Sequence, residues 1–272
     1  AIVRLNSELE ERVEQRTKEL EIALAELNES KAEVLRALES ERKLNELKSQ
    51  FVTIASHEFR TPLATMLSSV SLIGRYRLTE EDEKRQKHVR RIKSAINNLT
   101  EILNDFLSIG KLEEGLLTSV PIRFNLVDFC QELMEELKGV CAPGQTIVYS
   151  HEGEEQVWAD NQLLKNVIIN VISNGLKYSQ KDIRFATRVH DGKIYIEIQD
   201  YGIGISAADL PHIFNRFFRA QNSGNVQGTG LGLHIVKRYL ELMNGDVRVE
   251  SKEGYGTTFF IELPIATVHT IE

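Results

Sequence analysis

The chain has 272 residues, of which 42% are hydrophobic and 27% are charged, and its formal net charge is −7. At roughly 150 residues per domain this length predicts about two domains, and the composition excludes a disordered tail or a fibre. No apolar run approaches the ~18 residues of a membrane span, and none has the form of a secretory signal. The negative charge disfavours broad nucleic-acid binding, which needs a basic surface, so no nucleic-acid partner is expected. Two cysteines, Cys130 and Cys141, exclude a disulfide framework and a four-cysteine zinc site, and they indicate reduced thiols in a cytosolic compartment.

A long helix is predicted from Ala1 to about Arg75. This segment is rich in Glu, Leu, Lys, Arg and Ala, which favour helices, and its one proline is Pro62. Apolar residues recur at steps that are mostly three, four or seven, which predicts a coiled coil in the first part of the helix. They are Leu20, Leu24, Leu27, Val34, Leu38, Leu44, Leu47, Phe51 and Ile54. A coiled coil needs a partner, and the simplest partner is a second copy of the chain. Because the pattern begins without a helix cap, we expect an upstream segment that this chain lacks.

A second long helix is expected after a break between Gly74 and Thr79. Thr79 is followed by three acids, which is typical of a helix start. The apolar face of this helix comprises Val89, Ile92, Ile96, Leu99, Leu103, Phe106 and Ile109. Two such helices form an antiparallel hairpin, and two hairpins form a four-helix bundle. Residues 115–121 are predicted to be a linker.

Strands and helices are mixed after the linker, which predicts an α+β sandwich with a mostly antiparallel sheet. We expect helices from near Asn125 to about Lys138, from Asn161 to about Tyr178, and from about Leu231 to Met243. Strands are expected at residues 146–150, 156–159, 183–189, 194–199, 246–251 and 257–263. The pair Asp191-Gly192 indicates a hairpin between the third and fourth of these strands.

His57 lies inside the first helix, in the segment Ser-His-Glu-Phe-Arg-Thr-Pro. A neutral imidazole is a good nucleophile near pH 7, and the adjacent Glu58 is placed to accept a proton or fix the tautomer. Pro62 cannot donate to the carbonyl of Glu58, which weakens the helix one turn after His57. A single helical histidine is more often an ordinary exposed residue, so His57 is a candidate functional residue only together with the motifs that follow.

Three asparagines, Asn166, Asn170 and Asn174, recur every four residues and share one helix face. A carboxamide oxygen is a hard ligand suited to Mg²⁺, which also takes phosphate oxygens. Lys177 is within reach of the same phosphates, and Tyr178 can cover an aromatic base. The alternative is a polar helix face in water.

Two glycine-rich segments complete the predicted pocket. Asp200 directly follows a strand in Asp-Tyr-Gly-Ile-Gly-Ile, so its carboxylate can accept a hydrogen bond from an amine such as that of adenine, while the glycines allow close approach of the backbone. Alone, this motif could be a plain turn. The segment 228–233 opens a helix, whose N-terminal amides favour phosphate, and it matches neither a dinucleotide fingerprint nor a Walker loop. Between these segments, the phenylalanines of 213–219 anchor a polar stretch that predicts a lid over a nucleotide, or they pack in an ordinary core.

Taken together, these motifs closely resemble those of sensor histidine kinases of the HisKA type, over about residues 48–264. The likeness rests on six motifs in order: His-Glu-x-x-x-Pro, Asn-x-x-x-Asn-x-x-Lys-Tyr, Asp-x-Gly-x-Gly-Ile, the phenylalanine motif, Gly-Thr-Gly-Leu-Gly-Leu and Gly-Thr-Thr-Phe. The resemblance implies a multidomain fold, all-α at first and then α+β. It comprises a coiled-coil signalling helix (1–47), a dimerisation and histidine phosphotransfer domain that forms a dimeric four-helix bundle (48–118), and a catalytic ATP-binding domain with the sandwich fold of the GHKL ATPases (119–272).

The resemblance also implies a role for the residues around the histidine. His57 would be the phosphoacceptor and Glu58 its acid–base partner. Thr61 would orient water for dephosphorylation of the cognate response regulator.

In the ATP-binding domain, the resemblance implies that Asn174 binds Mg²⁺ and that Asp200 holds the adenine amine. The full set of implied nucleotide-binding residues is Asn170, Asn174, Lys177, Tyr178, Asp200, Gly202, Gly204, Ile205, Phe218, Arg219, Gly228, Thr229, Gly230, Leu231, Gly232, Leu233 and Thr258. The chain departs from the family at Gly175, where alanine is common, and glycine inside a helix costs about 1 kcal/mol.

The expected activity is that of a homodimeric protein-histidine kinase. It would phosphorylate His57 from Mg·ATP and pass the phosphoryl group to an aspartate of a response regulator, with phosphatase activity toward that regulator as well. We expect a cytoplasmic location, with a membrane anchor in the full-length protein left open, and an upstream sensor module outside this chain.

Two alternatives remain at this stage: a non-catalytic dimeric scaffold with a vestigial nucleotide pocket, and a plain ATPase. ATPases of the same fold carry a catalytic glutamate where this chain has Asn170. A chain without that base activates water poorly, which favours the kinase.

Overall fold

A computed structural model of the chain describes residues 2–76, 81–220, 222 and 228–266. The chain divides into two compact units, residues 1–57 and 58–272. None of the described helices combines the length and the apolar character that crossing a bilayer requires.

Described residues of the first unit are entirely helical and belong to helix α1, Ile2–Ile73. Five apolar residues of the predicted heptad pattern are each 51% to 66% exposed: Leu20, Leu24, Leu27, Val34 and Leu38. The side chains of Leu44, Leu47 and Phe51 lie outside the described set. A long helix with an exposed apolar stripe has the form of a coiled-coil strand.

The second unit begins with the rest of α1 and helix α2, Asp82–Glu113. Helix α1 ends at Ile73, as the expected break at Gly74 requires, and it continues through Pro62 without interruption. The rings of Phe59 and Phe106 meet edge to face, with their centroids 5.8 Å apart, so the two helices pack against each other. The expected helix start at Thr79 lies outside the described residues.

In the described residues, seven strands and three further α-helices follow α2. The strands are β1 (Ile122–Asn125), β2 (Ile147–Gly153), β3 (Gln156–Ala159), β4 (Ile183–His190), β5 (Lys193–Gln199), β6 (Asp246–Lys252) and β7 (Gly256–Pro264); the helices are α3 (Leu126–Leu137), α4 (Asn161–Tyr178) and α5 (Gly232–Leu242). The main sheet has the order β2-β4-β5-β7-β6, while β1 and β3 form a small separate sheet. All pairs are antiparallel except β2 with β4. The predicted α+β architecture is therefore confirmed.

Local sequence explains where the helices of this domain begin. Helix α3 starts after Asn125, whose side-chain oxygen accepts hydrogen bonds from the amides of Val127 and Asp128. Helix α4 starts after Asp160, which caps its first turn in the same way and also accepts the amide of Val120 at 2.7 Å through its other oxygen. An N-cap acceptor of this kind satisfies amides that would otherwise have no partner in the helix. Asp160 therefore fixes both the start of α4 and the linker from α2.

The core of the domain lies between one face of the sheet and helices α3, α4 and α5. Along β4 every second residue is buried, which is the pattern of a strand with one covered face. Ile168 and Ile172 on α4 are fully buried. Ile194 and Ile196 on β5 are at most 2% exposed. This packing fixes α4 against the sheet, and α4 carries most of the predicted site residues.

Replacing Ile168 by alanine tests this core. The substitution leaves a cavity at a fully buried position, so we expect a loss of about 2–5 kcal/mol in the free energy of unfolding. Fluorescence of Trp158, the chain's single tryptophan, reports unfolding in urea. The exposed Val148, on β2, provides the control, because its replacement by alanine should change stability by less than about 0.5 kcal/mol. Equal midpoints for the two variants would contradict this description of the core.

Candidate functional site

One cavity in the second unit gathers most of the predicted nucleotide-binding residues. It lies between helix α4, the loop after β5, the segment before α5 and helix α2. The predicted residues that line it are Asn170, Asn174, Lys177, Tyr178, Asp200, Gly204, Ile205, Phe218, Arg219, Gly228, Thr229, Gly230, Gly232 and Leu233.

Three predicted residues do not line this cavity. Gly202 lies behind the Asp200 carboxyl and donates its amide to it, and Leu231 is fully buried. Thr258 belongs to a second, shallow depression, whereas its neighbour Thr257 lines the cavity. Successive side chains of a strand point to opposite faces, so only one of these two threonines can face a ligand.

The predicted phosphoacceptor and its neighbours lie on α1. His57 is exposed, Glu58 is half-buried, and Thr61 is exposed one turn later. On the same helix, the hydroxyl of Ser56 donates to the carbonyl of Val52 at 2.7 Å.

The carboxyl group of Asp200 is the fixed acceptor of the cavity. Its Oδ1 accepts the backbone amides of Gly202 at 2.8 Å and Thr257 at 3.3 Å. Among the described residues no hydrogen bond reaches Oδ2, so that oxygen is left for a ligand's amine. Burial raises the pKa of Asp200, while the two amides act in the opposite direction. The carboxyl is thus oriented by the backbone and placed at the end of a central strand.

Two glycines let the backbone close around Asp200. A Cβ at Gly202 would lie 2.3 Å from the carbonyl oxygen of Tyr178, and one at Gly256 would lie 2.2 Å from the carbonyl oxygen of Asp200. Both distances are far below van der Waals contact, so a side chain at either position would force the loop away from α4 and β7. The glycines of the predicted motif are therefore required by packing around the carboxyl.

The departure at Gly175 also has a packing reason. A Cβ there would lie 3.1 Å from Cδ1 of Ile183 and 3.4 Å from Cβ of Asp200. An alanine would fit only if Ile183 moved by a few tenths of an ångström. Glycine allows α4 to approach the sheet beside Asp200, which offsets its poor helix propensity.

The asparagines of α4 are arranged by the helix itself and by the start of α5. The side-chain amide of Asn170 donates to the carbonyl of Asn166 at 2.9 Å, which fixes the direction of its Oδ1. A Cβ at Gly232 would lie 2.7 Å from that oxygen. Asn166 does not line the cavity, whereas Asn170 and Asn174 do. Two carboxamides therefore face the cavity beside the helix N-terminus of α5.

The segment between the glycine motifs is anchored at a strained residue. Phe217 has φ 62°, a conformation rarely adopted by aromatic residues, and its amide donates to the carbonyl of Gly230 at 3.0 Å. This contact joins the phenylalanine motif to the glycine-rich segment before α5. Strain of this kind persists only where the surrounding structure enforces it, and it is common at ligand clamps.

Helix α2 supplies four cavity residues that the sequence analysis missed: Asn98, Glu101, Ile102 and Asp105. Lys177 Nζ lies 3.2 Å from Oε1 of Glu101, and the Thr229 hydroxyl donates to Oδ2 of Asp105 at 3.0 Å. The sequence contained one indication of this lining, because Glu101 and Asp105 are four residues apart and therefore share one face of the helix.

Asp105 is the most perturbed carboxyl of the cavity. Burial raises its pKa to about 6, and the negative charge of Glu101 adds to this rise. The hydrogen bond from Thr229 and the charge of Lys177 oppose it. Part of the Asp105 population is therefore protonated near neutral pH.

No group of three or more metal-binding side chains of the His, Cys, Asp or Glu type occurs in the part of the chain that the structure describes. The carboxamide oxygens of Asn170 and Asn174 are uncharged oxygen donors that line the cavity. That donor set suits Mg²⁺, which keeps several waters and takes phosphate oxygens.

Two family comparisons agree with this geometry. Residues 159–267 match the histidine kinase-, DNA gyrase B- and HSP90-like ATPases. Residues 47–115 match the His Kinase A (phospho-acceptor) domain.

Individual relatives give the same result. The chain is 32% identical over 94% of its length to the sensor protein GacS of Pseudomonas syringae pv. syringae, and 31% identical over 82% of its length to the autoinducer 2 sensor kinase/phosphatase LuxQ of Vibrio cholerae. It spans 28% and 27% of those two proteins. Among solved structures, full-length ShkA in complex with AMPPNP has a TM-score of 0.58 and 26% identity, over 81% of this chain and 46% of ShkA.

The fold and the cavity thus define an ATP-binding domain of the type shared by histidine kinases, gyrase B and HSP90. Because a phospho-acceptor domain precedes it in the same chain, the chain belongs to the histidine kinase family.

The pKa of Asp105 predicts a pH-dependent stability. A carboxyl whose pKa rises from 3.8 to about 6 on folding stabilises the folded chain when protonated, and this contribution is lost as pH rises through about 6. Replacing Asp105 by asparagine keeps a neutral acceptor at every pH. The variant's melting temperature should therefore exceed that of the wild type by more at pH 7.5 than at pH 5. Equal differences at the two pH values, measured by thermal unfolding, would contradict the assignment.

Proposed function

We propose that this chain is the kinase portion of a sensor histidine kinase, which transfers the γ-phosphoryl group of Mg·ATP to His57. The observation that carries this proposal is the joint presence of a buried, backbone-held Asp200, two cavity-facing asparagines, and a phospho-acceptor segment in one chain. The AMPPNP bound to the structural relative ShkA supports ATP as the nucleotide.

Adenine would bind at the Asp200 end of the cavity. The free carboxylate oxygen would accept the exocyclic amine, and the apolar side chains of Ile203 and Phe259 line the same cavity. A buried site that hydrogen-bonds one edge of a base discriminates strongly against bases with a different edge. The Asp200 end of the cavity would therefore select adenine over other bases.

The phosphates would bind at the other end, near Asn170, Asn174, Lys177 and the N-terminus of α5. Mg²⁺, when bound, offsets phosphate charge and aligns the γ-phosphoryl group. Asn174 would contribute its carboxamide oxygen to that ion, Asn170 would lie toward the γ-phosphate, and Lys177 would contact phosphate oxygens. The amides at the start of α5 favour an anion.

His57 would act as the nucleophile. Its neutral imidazole nitrogen forms a bond to phosphorus while the bond from the γ-phosphorus to the bridging oxygen of ADP breaks, and ADP leaves with that electron pair. Glu58, next in the chain, would accept the proton released from the imidazole. The phosphohistidine would then pass its phosphoryl group to an aspartate carboxylate of a response regulator. Thr61 would orient water for hydrolysis of the regulator's phosphoaspartate, which releases inorganic phosphate, and the name of LuxQ as a kinase/phosphatase supports that activity.

Two copies of the chain would form the functional unit. Leu63, Leu67 and Val70 on α1 are 52%, 70% and 57% exposed. On α2, Leu103 and Leu107 are 50% and 55% exposed. Isolated helical hairpins cannot bury such stripes, and a four-helix bundle of two hairpins can. An upstream sensor module would act on the kinase through the exposed heptads of α1, and we propose a cytoplasmic location for this portion.

A plain ATPase is the less favoured alternative. Asn170 stands where the ATPases of this fold carry a catalytic glutamate, so no carboxylate at that position activates water. A scaffold with a vestigial pocket is also less favoured, because the close packing of glycines around Asp200 is intact.

Replacing His57 by glutamine tests the proposal directly. With radiolabelled ATP and Mg²⁺, the wild-type chain should acquire an acid-labile, base-stable label, and the variant should lose at least about 99% of it because no other nucleophile replaces the imidazole. His190, exposed at the end of β4, offers a matched control whose replacement by glutamine should leave labelling unchanged. Persistent labelling of the His57 variant would contradict the assignment. Steady phosphate release that survives it would favour the ATPase, and no labelling of the wild type would favour the scaffold.

Replacing Leu67 by aspartate tests the dimer. A charge at a buried position of the bundle has no partner, so we expect dimerisation to weaken at least about tenfold in sedimentation velocity, equivalent to about 1.4 kcal/mol. Val148, similarly exposed but on the sheet, is the control, and its replacement by aspartate should leave the dimer intact. A wild-type chain that sediments as a monomer would exclude the bundle.

A further inference from the structure

Two acids of helix α2, Glu101 and Asp105, contact Lys177 and Thr229 at the end of the cavity that is proposed to bind phosphate. We call these two acids the acidic clasp. The carboxylate of Glu101 pairs with the ammonium group of Lys177 at 3.2 Å. The carboxyl of Asp105 accepts the hydroxyl of Thr229 at 3.0 Å. That hydroxyl also accepts the amide of Leu231 at 3.2 Å, at the entry to α5. The clasp therefore contacts the cation on α4 and the glycine-rich segment together.

The rest of α2 is docked in a way that supports the clasp. Ile102 and Ile109 lie on the same face and are only 3% and 4% exposed. Beyond them, Glu113 at the end of α2 forms an ion pair with Arg216. The Arg216 side chain is oriented by His234, which accepts its Nε–H at 3.1 Å. The contacts thus extend along several turns of one helix face, so the clasp is held by a built interface.

We infer that the acidic clasp and the polyphosphate of a nucleotide compete for Lys177 and Thr229, so that docked α2 lowers the affinity of the cavity for ATP until the helix moves away. The inference rests on the proposed function for the identity of the ligand. A triphosphate at this end would meet two carboxylates that line the same cavity, and like charges at close range repel. It would also have to displace both acids from their partners.

The competition acts at one end of the ligand only. Asp200 belongs to the adenine end, and in the described residues its hydrogen bonds go to the amides of Gly202 and Thr257 and not to the clasp. Removing the clasp should therefore strengthen binding of a ligand with phosphates and leave a ligand without them almost unchanged. This difference separates a clasp from a general change in the shape of the cavity.

Calorimetric titration of the full chain with AMPPNP and with adenosine, both with Mg²⁺ at pH 7.5, tests the inference. The variant carries Glu101→Gln and Asp105→Asn, which remove two charges and keep the size and hydrogen-bonding atoms of both side chains. AMPPNP should bind the variant at least about fivefold more tightly than the wild type, within the usual range of coupling between sites. Adenosine should differ by less than about twofold. The exposed acid Glu83, on the first turn of α2, is the control, and Glu83→Gln should change neither affinity.

Three results would overturn the inference: unchanged AMPPNP affinity, weaker AMPPNP binding, or an equal gain for adenosine. A gain in affinity cannot result from misfolding, so the expected outcome is specific. A cavity that is not a nucleotide site has a different signature, because neither ligand would then bind either the wild type or the variant.

Discussion

The position of one carboxyl group, that of Asp200, is the constraint on which the cavity depends. Asp200 follows β5, a central strand, and its backbone exchanges hydrogen bonds with Thr257 at 2.9 Å and 3.3 Å. Its side chain accepts the amide of Gly202 and shares the amide of Thr257 with its own backbone carbonyl. The surrounding chain approaches it closely because glycines stand at positions 175, 202 and 256. An ionisable group buried in this way is costly unless hydrogen bonds or a ligand compensate it. The sheet therefore builds a fixed acceptor into an otherwise apolar wall.

Helix α2 has two roles that constrain each other. One face packs on α1 through Phe106, and another lines the nucleotide cavity with Glu101 and Asp105. Any movement that frees the cavity must also change how α2 is held. In a protein of the histidine kinase family, the proposed clasp would link the position of α2 to the nucleotide affinity of the ATP-binding domain, as a two-state element that a ligand can bias.

The sequence predicted much of this fold because local signals were strong. Helix α4 was predicted with its observed bounds, since an aspartate precedes a long amphipathic pattern. Strand β3 was also predicted with its observed bounds. Strand β1 was missed, because its alternation of apolar and polar residues spans only four positions and its pairing with β3 is not visible in the sequence. The lining of the cavity by α2 was also missed, since it depends on contacts between residues far apart in the chain. For Thr257 and Thr258, only the register of β7 against β5 shows which one faces the cavity.

The most direct test of the central claim is the base preference of the cavity. We predict that the wild-type chain binds ATP at least about a hundredfold more tightly than GTP, because the Asp200 carboxylate accepts the adenine amine and repels the guanine carbonyl. Asp200→Asn should reduce this preference sharply, since an amide can donate to that carbonyl. Equal affinities of the wild-type chain for ATP and GTP, measured by calorimetry with Mg²⁺, would contradict the account.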